Sequence, residues 1–466
     1  MALQTLNPPI SWKPKQELMP EDRHLLWLPP RRLLAGGMSR RGGCRAAVGN
    51  GGFVGGEGIK VRTKKDVDLA TLGNLCVDIV LNVPSLPPSQ RDERKAYMDR
   101  LAASSPDKKF WEAGGNCNLA IAAARLGLSC ITLGHVGEEI YGNFLLDVLQ
   151  NESIRIVGMN ENAEATAPKD AYETLLCWVL VDPFQKHGFC SRADFSEDPA
   201  FYWINKLSRR VKMAIQQSKI LFCNGYSFDE LSPDVIISAL DCAIDAGTAT
   251  FFDPGPRGRT LSHGSPGQRR ALESFLKYSD VLLLTSEEAL SLTGIANPIL
   301  AGQELLRKGV RTKWVVIKMG SKGSVLIDKS VISCAPAFKV NVVDTVGCGD
   351  SFTAAIAFGY LHNMPAVNTL VLANAVGAAT ATGCGAGRNV AHLEKVLELL
   401  KRSHLNEDDN LWSDLLEGNS LDSQVLLLSK TSINRCDRLV RIPTSDVVSE
   451  LLHMFEAACK RSVLQT

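Results

Sequence analysis

Between Asp66 and Arg402 the chain repeats one alternation: a short apolar run, a turn residue, then a stretch with apolar residues at helical spacing. SKILFCNG leads to SPDVIISALDCAIDAG, TATFFDPG to a loop and a helix ending near Tyr278, and SDVLLLTS to EEALSLTG. Apolar runs without in-and-out alternation are strands buried on both faces. Helices on each side of a parallel sheet supply that burial. The alternation therefore predicts an α/β fold with a central, mostly parallel sheet.

Residues 64–402 are expected to form one domain. VDLATLGNLCVDIVLNV reads as a buried strand and its continuation. Residues 84–112 are polar and carry Pro84, Pro87 and Pro88, so a loop or inserted flap is expected there. CNLAIAAARLGL (117–128) reads as a helix and ETLLCWVLVD (173–182) as a strand, with 183–200 irregular. Residues 403–466 form an extension with a polar NEDDN and an amphipathic helix candidate, SDVVSELLHMFEAACK. Residues 1–63 contain Arg31, Arg32, Arg40, Arg41 and Arg45, four Gly-Gly pairs and few acids. They lack the apolar core of a secretory signal and read as an organellar transit peptide or a disordered leader.

A net charge of +1 gives no electrostatic case for nucleic acid as a partner. Thirteen scattered cysteines without a CxxC suggest thiols in a reducing compartment, not a zinc site. No apolar run is long enough to cross a membrane.

DTVGCGDSF (344–352) lies between a strand-like FKVNVV and a helix-like SFTAAIAFGYL. A helix start offers unpaired N–H groups and the positive end of the dipole, a ready anion site. Gly347 and Gly349 would let an oxyanion approach the amides of 347–349. Asp350 either caps the helix or accepts a proton beside the anion. A capping Asp alone explains neither glycine nor the earlier Asp344. No Walker pattern or GxGxxG occurs.

DTVGCGD resembles the DTxGAGD signature of the ribokinase-like, or PfkB, family of carbohydrate kinases. The resemblance runs through residues 66–402: GNLCVDIV, AGGNCNLAIAAARLGL, GHVGEEIYG, VVIKMGSKGSVL and ANAVGAATATGCGAG resemble family segments in order. It implies a ribokinase-like fold with a small β lid, from about 84–112 and 173–200, and ATP-dependent phosphorylation of a sugar, polyol or nucleoside hydroxyl. It implies Asp350 as catalytic base and Gly347, Cys348 and Gly349 as the anion hole. Asp78, Gly114, Gly115 and Asn118 would bind the acceptor. Lys318, Gly320, Gly323 and Asn374 would bind ATP. Glu288 would serve Mg²⁺, and Asp344 with the Val346 carbonyl would help hold K⁺. Pairing of two copies through the lid is a family habit.

The chain departs from the pattern in four places. Cys348 replaces Ala, Thr285 replaces the Asn of NxxE, and Glu139 replaces Asp in GxVGxDxxG. The Gly-Gly motif is one residue short, so Asn116 rivals Asn118. Glu288 also reads as an ordinary first-turn acid. Asp253 and Arg257 follow a strand end, where ligands bind in open α/β sheets; a solvated loop arginine is an equal reading. His135 and His187 lack metal-ligand spacing and read as incidental, and Cys117 and Cys130 as small core residues. Phe110 and Trp111 are either a stacking face for a nucleobase or lid core. An alternative to the enzyme is a catalytically weak, kinase-like scaffold subunit of an organellar complex.

Overall fold

The computed structural model describes residues 64–159, 173–184, 186–196, 198–416, 423–430 and 438–463. The leader read at 1–63 lies outside them. One compact unit within residues 52–455 holds both sheets of the molecule.

Among the described residues, eleven strands form one sheet. From one edge to the other the order is Leu439–Pro443, Gln424–Ser429, Val331–Ala335, Ser324–Ile327, Trp314–Lys318, Val281–Thr285, Ala249–Asp253, Ser218–Asn224, Val67–Leu72, Cys130–Gly134 and Arg155–Gly158. Every pairing is parallel except the two that flank Ser324–Ile327. Both faces are covered, as the unalternating strands require. Leu69, Phe222, Phe251 and Leu283 enter one core, packed with helices Asn116–Arg125, Cys348–Leu361 and Ala366–Thr380. Ala70, Leu221, Phe252 and Leu282 enter the other, with Pro233–Asp245 and Pro266–Tyr278. Helices Cys348–Leu361 and Ala366–Thr380 are buried almost all round. Small residues let them approach closely: a Cβ on Gly359 would lie 2.4 Å from Thr369 Oγ1.

A second sheet has four strands, in the order Trp111–Gly115, Leu75–Asn82, Leu175–Val181, His187–Ser191. The run read as one strand and its continuation is thus two strands in two sheets. The break falls at Gly73 (φ 64°) and Asn74 (φ 53°). Buried side chains hold the bend: Asn74 N donates to Glu230 Oε2 at 2.6 Å, and the Asn116 amide donates to the Leu72 and Gly73 carbonyls.

Residues 84–112 are not loop throughout, because helix Arg91–Ala102 lies within them. Met98 is its one buried residue, so it carries no apolar stripe by which periodicity would reveal it. The expected C-terminal helix is present as Thr444–Val463, with Val447, Val448, Leu451 and Phe455 buried. The two strands before it, Gln424–Ser429 and Leu439–Pro443, join the large sheet in parallel. The described part of the extension, as far as Phe455, is therefore part of the main fold.

No helix among the described residues is long and apolar enough to cross a membrane.

Candidate active site

Helix Cys348–Leu361 starts without a side-chain cap. Its N-cap is Gly347, in the left-handed region at φ 75°, where a Cβ would meet Ala386 Cβ at 2.8 Å. Asp350 is the third helical residue rather than the cap, which removes the capping reading. Gly349 is exposed, so this entrance is open to an incoming anion.

Four charged side chains converge beside it. Lys318, from the end of strand Trp314–Lys318, places Nζ 2.6 Å from Asp253 Oδ2 and 3.8 Å from the position of a Cβ on Gly349. Burial pushes the Asp350 carboxyl up to about 7, and Asp253 adds to the rise; Lys318 and a hydrogen bond from Asn118 oppose it. Burial alone would lower the Lys318 ammonium, yet Asp253, Glu288 and Asp350 hold it above its usual value. Glu288 is raised by burial and by Asp253. It closes a capping box, with Thr285 N donating to Oε2 at 2.7 Å and Thr285 Oγ1 accepting from Glu288 N. Thr285, where the family has Asn, is the cap of that helix.

Asp78 faces this cluster from the small sheet. Burial drives its carboxyl up to about 7; the Cys76 thiol hydrogen bond opposes this, and the charges of Asp350 and Glu112 add to it. Gly114, on the neighbouring strand, leaves room for that carboxyl: a Cβ there would sit 2.1 Å from Asp78 Oδ1. Gly115 (φ 58°) crosses the Gly73–Asn74 bend, and a Cβ on it would meet the Asn74 carbonyl at 2.2 Å.

The two rival asparagines separate. Asn116 is fully buried, bound to the bend and to Asn224. Asn118 lies against Gly347, hydrogen-bonds Asp350 and accepts from Gly387 N at 2.7 Å. After strand Trp314–Lys318, Gly320 (φ 57°) and Gly323 (φ 109°) bracket a tight turn, and a Cβ on Gly320 would meet open space. Asn374 braces the end of that turn, since it bonds Ser324, the residue after Gly323, and the Ala335 carbonyl that Gly323 faces. It accepts from Ser324 Oγ and donates to the Ala335 and Pro336 carbonyls.

Several further residues singled out in the sequence have definite places. Arg257 is held between Asp194 (2.6 Å) and Asp229 (2.8 Å). Trp111 is buried, packs on Tyr141 and donates to the Pro106 carbonyl, so it is core of the small sheet. His135 packs on Phe201, and burial lowers its pKa. Cys117 and Cys130 are buried as expected. Glu139 caps helix Ile140–Asn151 through Tyr141 N and Gly142 N. His187, by contrast, is not incidental: Nε2 lies 2.7 Å from Asp344 Oδ1. Glu112 pairs with Arg388 at 2.8 Å beside the Asp78 strand. Neither contact has a sequence signature, because each joins elements far apart in the chain.

An uncapped helix entrance, a buried acid and a lysine among carboxylates are thus gathered at the ends of parallel strands, where ligands bind in open α/β sheets. Residues 69–392 match the pfkB family of carbohydrate kinases, and the chain belongs to that family. It is 26% identical to a protein named "Probable fructokinase-6, chloroplastic" of Arabidopsis thaliana, over 65% of this chain and 77% of the relative. It is 26% identical to a ribokinase of Mus musculus, over 58% of this chain and 79% of the relative. Its fold is ribokinase-like. A ribokinase-like structure from Escherichia coli, solved in complex with ATP and Mg²⁺, aligns with a TM-score of 0.57 at 20% identity, covering 72% of this chain and 99% of that one.

Proposed function

We propose that this carbohydrate kinase moves the γ-phosphoryl group of ATP to a hydroxyl of a sugar, polyol or nucleoside, with Asp350 as the base. The observation that carries the reading is the Asp350 carboxyl, pushed up to about 7 in the first turn of a helix that no side chain caps. A base works best when its pKa lies near the working pH.

The acceptor lies between the small sheet and this helix. Asp78 and Asn118 orient its hydroxyls, with Gly114 and Gly115 giving it room. Asp350 takes the proton of the reacting hydroxyl. The oxygen attacks the γ-phosphorus in line, the bond to the β-phosphate oxygen breaks, and ADP leaves. The amides of Gly347, Cys348 and Gly349 hold the phosphoryl oxygens, and the Lys318 charge stands beside them. Cys348 costs little in this role, since the amide does the binding. ATP lies over the turn at Gly320 and Gly323, with its base toward Asn374. The carboxylates of Glu288 and Asp253 are hard oxygen donors of the sort Mg²⁺ takes, directly or through water. That ion supplies neutralisation of phosphate charge. The small sheet acts as a lid that excludes water. Pairing of two copies through this sheet belongs to the same reading; Phe184 and Phe189 are exposed there. So does import into an organelle, in keeping with the chloroplastic relative.

ADP release with Mg²⁺ and ATP, measured over fructose, ribose, inositol and a panel of nucleosides, tests the reading. Turnover with at least one acceptor is the expected result. None with any, from folded protein, would leave the scaffold reading in its place.

The pH dependence has a definite sign. A base must be ionised to act, so kcat/KM should rise with pH through about 7 and level off above it. Asp78 also titrates near 7. If acceptor binding needs both carboxylates ionised, the acid limb approaches a slope of two, and Asp78→Asn reduces it to one. A profile flat from about pH 5 to 8 would remove Asp350 from the rate equation.

A further inference from the structure

We propose that His187 takes the place of the monovalent cation at Asp344, so that the small sheet, and not a bound ion, fixes the anion-hole loop. The family resemblance implies K⁺ on the Asp344 carboxylate and the Val346 carbonyl. The donors around Asp344 do not fit an ion there. Oδ1 accepts from Val346 N at 2.9 Å, and Oδ2 accepts from Gly385 N at 2.6 Å. His187 Nε2 then covers Oδ1 at 2.7 Å. At this distance the imidazole ring fills the face of Oδ1 that an ion would need, although its nitrogen makes no well-aligned hydrogen bond there. The pair is enclosed: the side chains are 12% and 4% exposed. The ring therefore stands where an ion would stand.

The contact joins the two sheets at a mechanically useful place. His187 begins strand His187–Ser191 of the small sheet, and Asp344 stands three residues before Gly347, the N-cap of the anion-hole helix. A second contact runs parallel to it. Val179 of the small sheet packs with Val346 and Ala386, and a Cβ on Gly347 would strike Ala386. His187 and Val179 thus hold the loop 344–347 from the lid side. His187 touches no reacting atom and is a positioning residue.

The test uses the full chain and has two arms. In the first, melting of the wild type is compared in KCl and in choline chloride at equal ionic strength. The two curves are expected to coincide, and a K⁺-dependent rise in melting temperature would overturn the proposal. The second arm rests on the kinase reading. Wild-type turnover should be equal in the two salts. His187→Ala, which opens a cavity beside Asp344, should lower turnover about tenfold or more in choline chloride. KCl or added imidazole should restore it. Wild-type turnover that needs K⁺ would overturn the proposal. So would a variant that matches the wild type in choline chloride, or one that neither K⁺ nor imidazole restores. If His187→Ala does not fold, His187→Gln keeps a side chain in the same space and serves in its place, with turnover expected to stay independent of K⁺. Should no acceptor give turnover, the kinase reading fails while the melting arm still decides this one.

Discussion

Asp350→Asn is expected to leave ATP binding intact and to lower turnover by about 10²–10⁴-fold. The amide has the shape of the carboxyl and can still meet Asn118, but it accepts no proton from a hydroxyl. The proposed anion hole is unaffected, because main-chain amides would make it. Loss of fold can be told from loss of chemistry by the sign of the stability change. The folded carboxyl has its pKa raised to about 7 from the ordinary 3.8, so the folded state binds more protons than the unfolded one between those values. Stability from this group is present at low pH and is lost as pH rises through that window. At pH 8 the ionised Asp350 burdens the fold, with Asp253 as a like-charged neighbour. A neutral Asn lifts that burden, so the variant should melt no lower than the wild type at pH 8. Calorimetric ATP titration, ADP release and a melting curve on one preparation check all three. A loss of turnover under about tenfold would assign the proton to another group.

The parts of this site that depend only on local sequence are legible in the chain itself. Gly347 must reach φ 75° against Ala386, and that requirement is written into the motif. The GxVG turn is similar: a Cβ on Gly142 would meet the Gly137 carbonyl at 1.9 Å, so the glycine spacing records a close backbone crossing. What depends on which elements meet is not legible. Asn116 and Asn118 look equivalent in sequence, and only the bend at Gly73–Asn74, which claims one of them, tells them apart. Arg257 gives two readings because Asp194 and Asp229 come from distant segments. His187 looks incidental because its partner belongs to another part of the fold. Helix Arg91–Ala102 escapes notice because it buries little, and the strands at 424–429 and 439–443 because QVLLLS and LVRIP come after the last strand–helix repeat of the domain.

Those two strands carry the second large effect. Deleting residues 404–466 is expected to abolish soluble, cooperatively folded protein, although the family match ends at residue 392. The deletion removes Trp412, Val425, Leu427, Leu428, Val447, Val448, Leu451 and Phe455 from buried positions. Burial of each such side chain contributes roughly 1.5–3 kcal/mol, a sum on the order of the whole ~5–15 kcal/mol stability of a domain. It also bares strand Val331–Ala335, which now pairs with Gln424–Ser429, as an open edge that invites aggregation. Leu451→Ala is a graded version, expected to cost about 2–5 kcal/mol and read as a lower melting temperature. Soluble yield and thermal melting of a 1–403 fragment check the deletion; a fragment melting within a few degrees of the full chain would mean the added strands are dispensable. The consequence reaches the nucleotide side as well. Asn406 donates to the Ser321 carbonyl at 2.7 Å, inside the turn bracketed by Gly320 and Gly323. Residues beyond the family match therefore brace the very turn proposed to lie beneath ATP, so a partial truncation that still folds should weaken nucleotide binding before it alters the chemistry at Asp350.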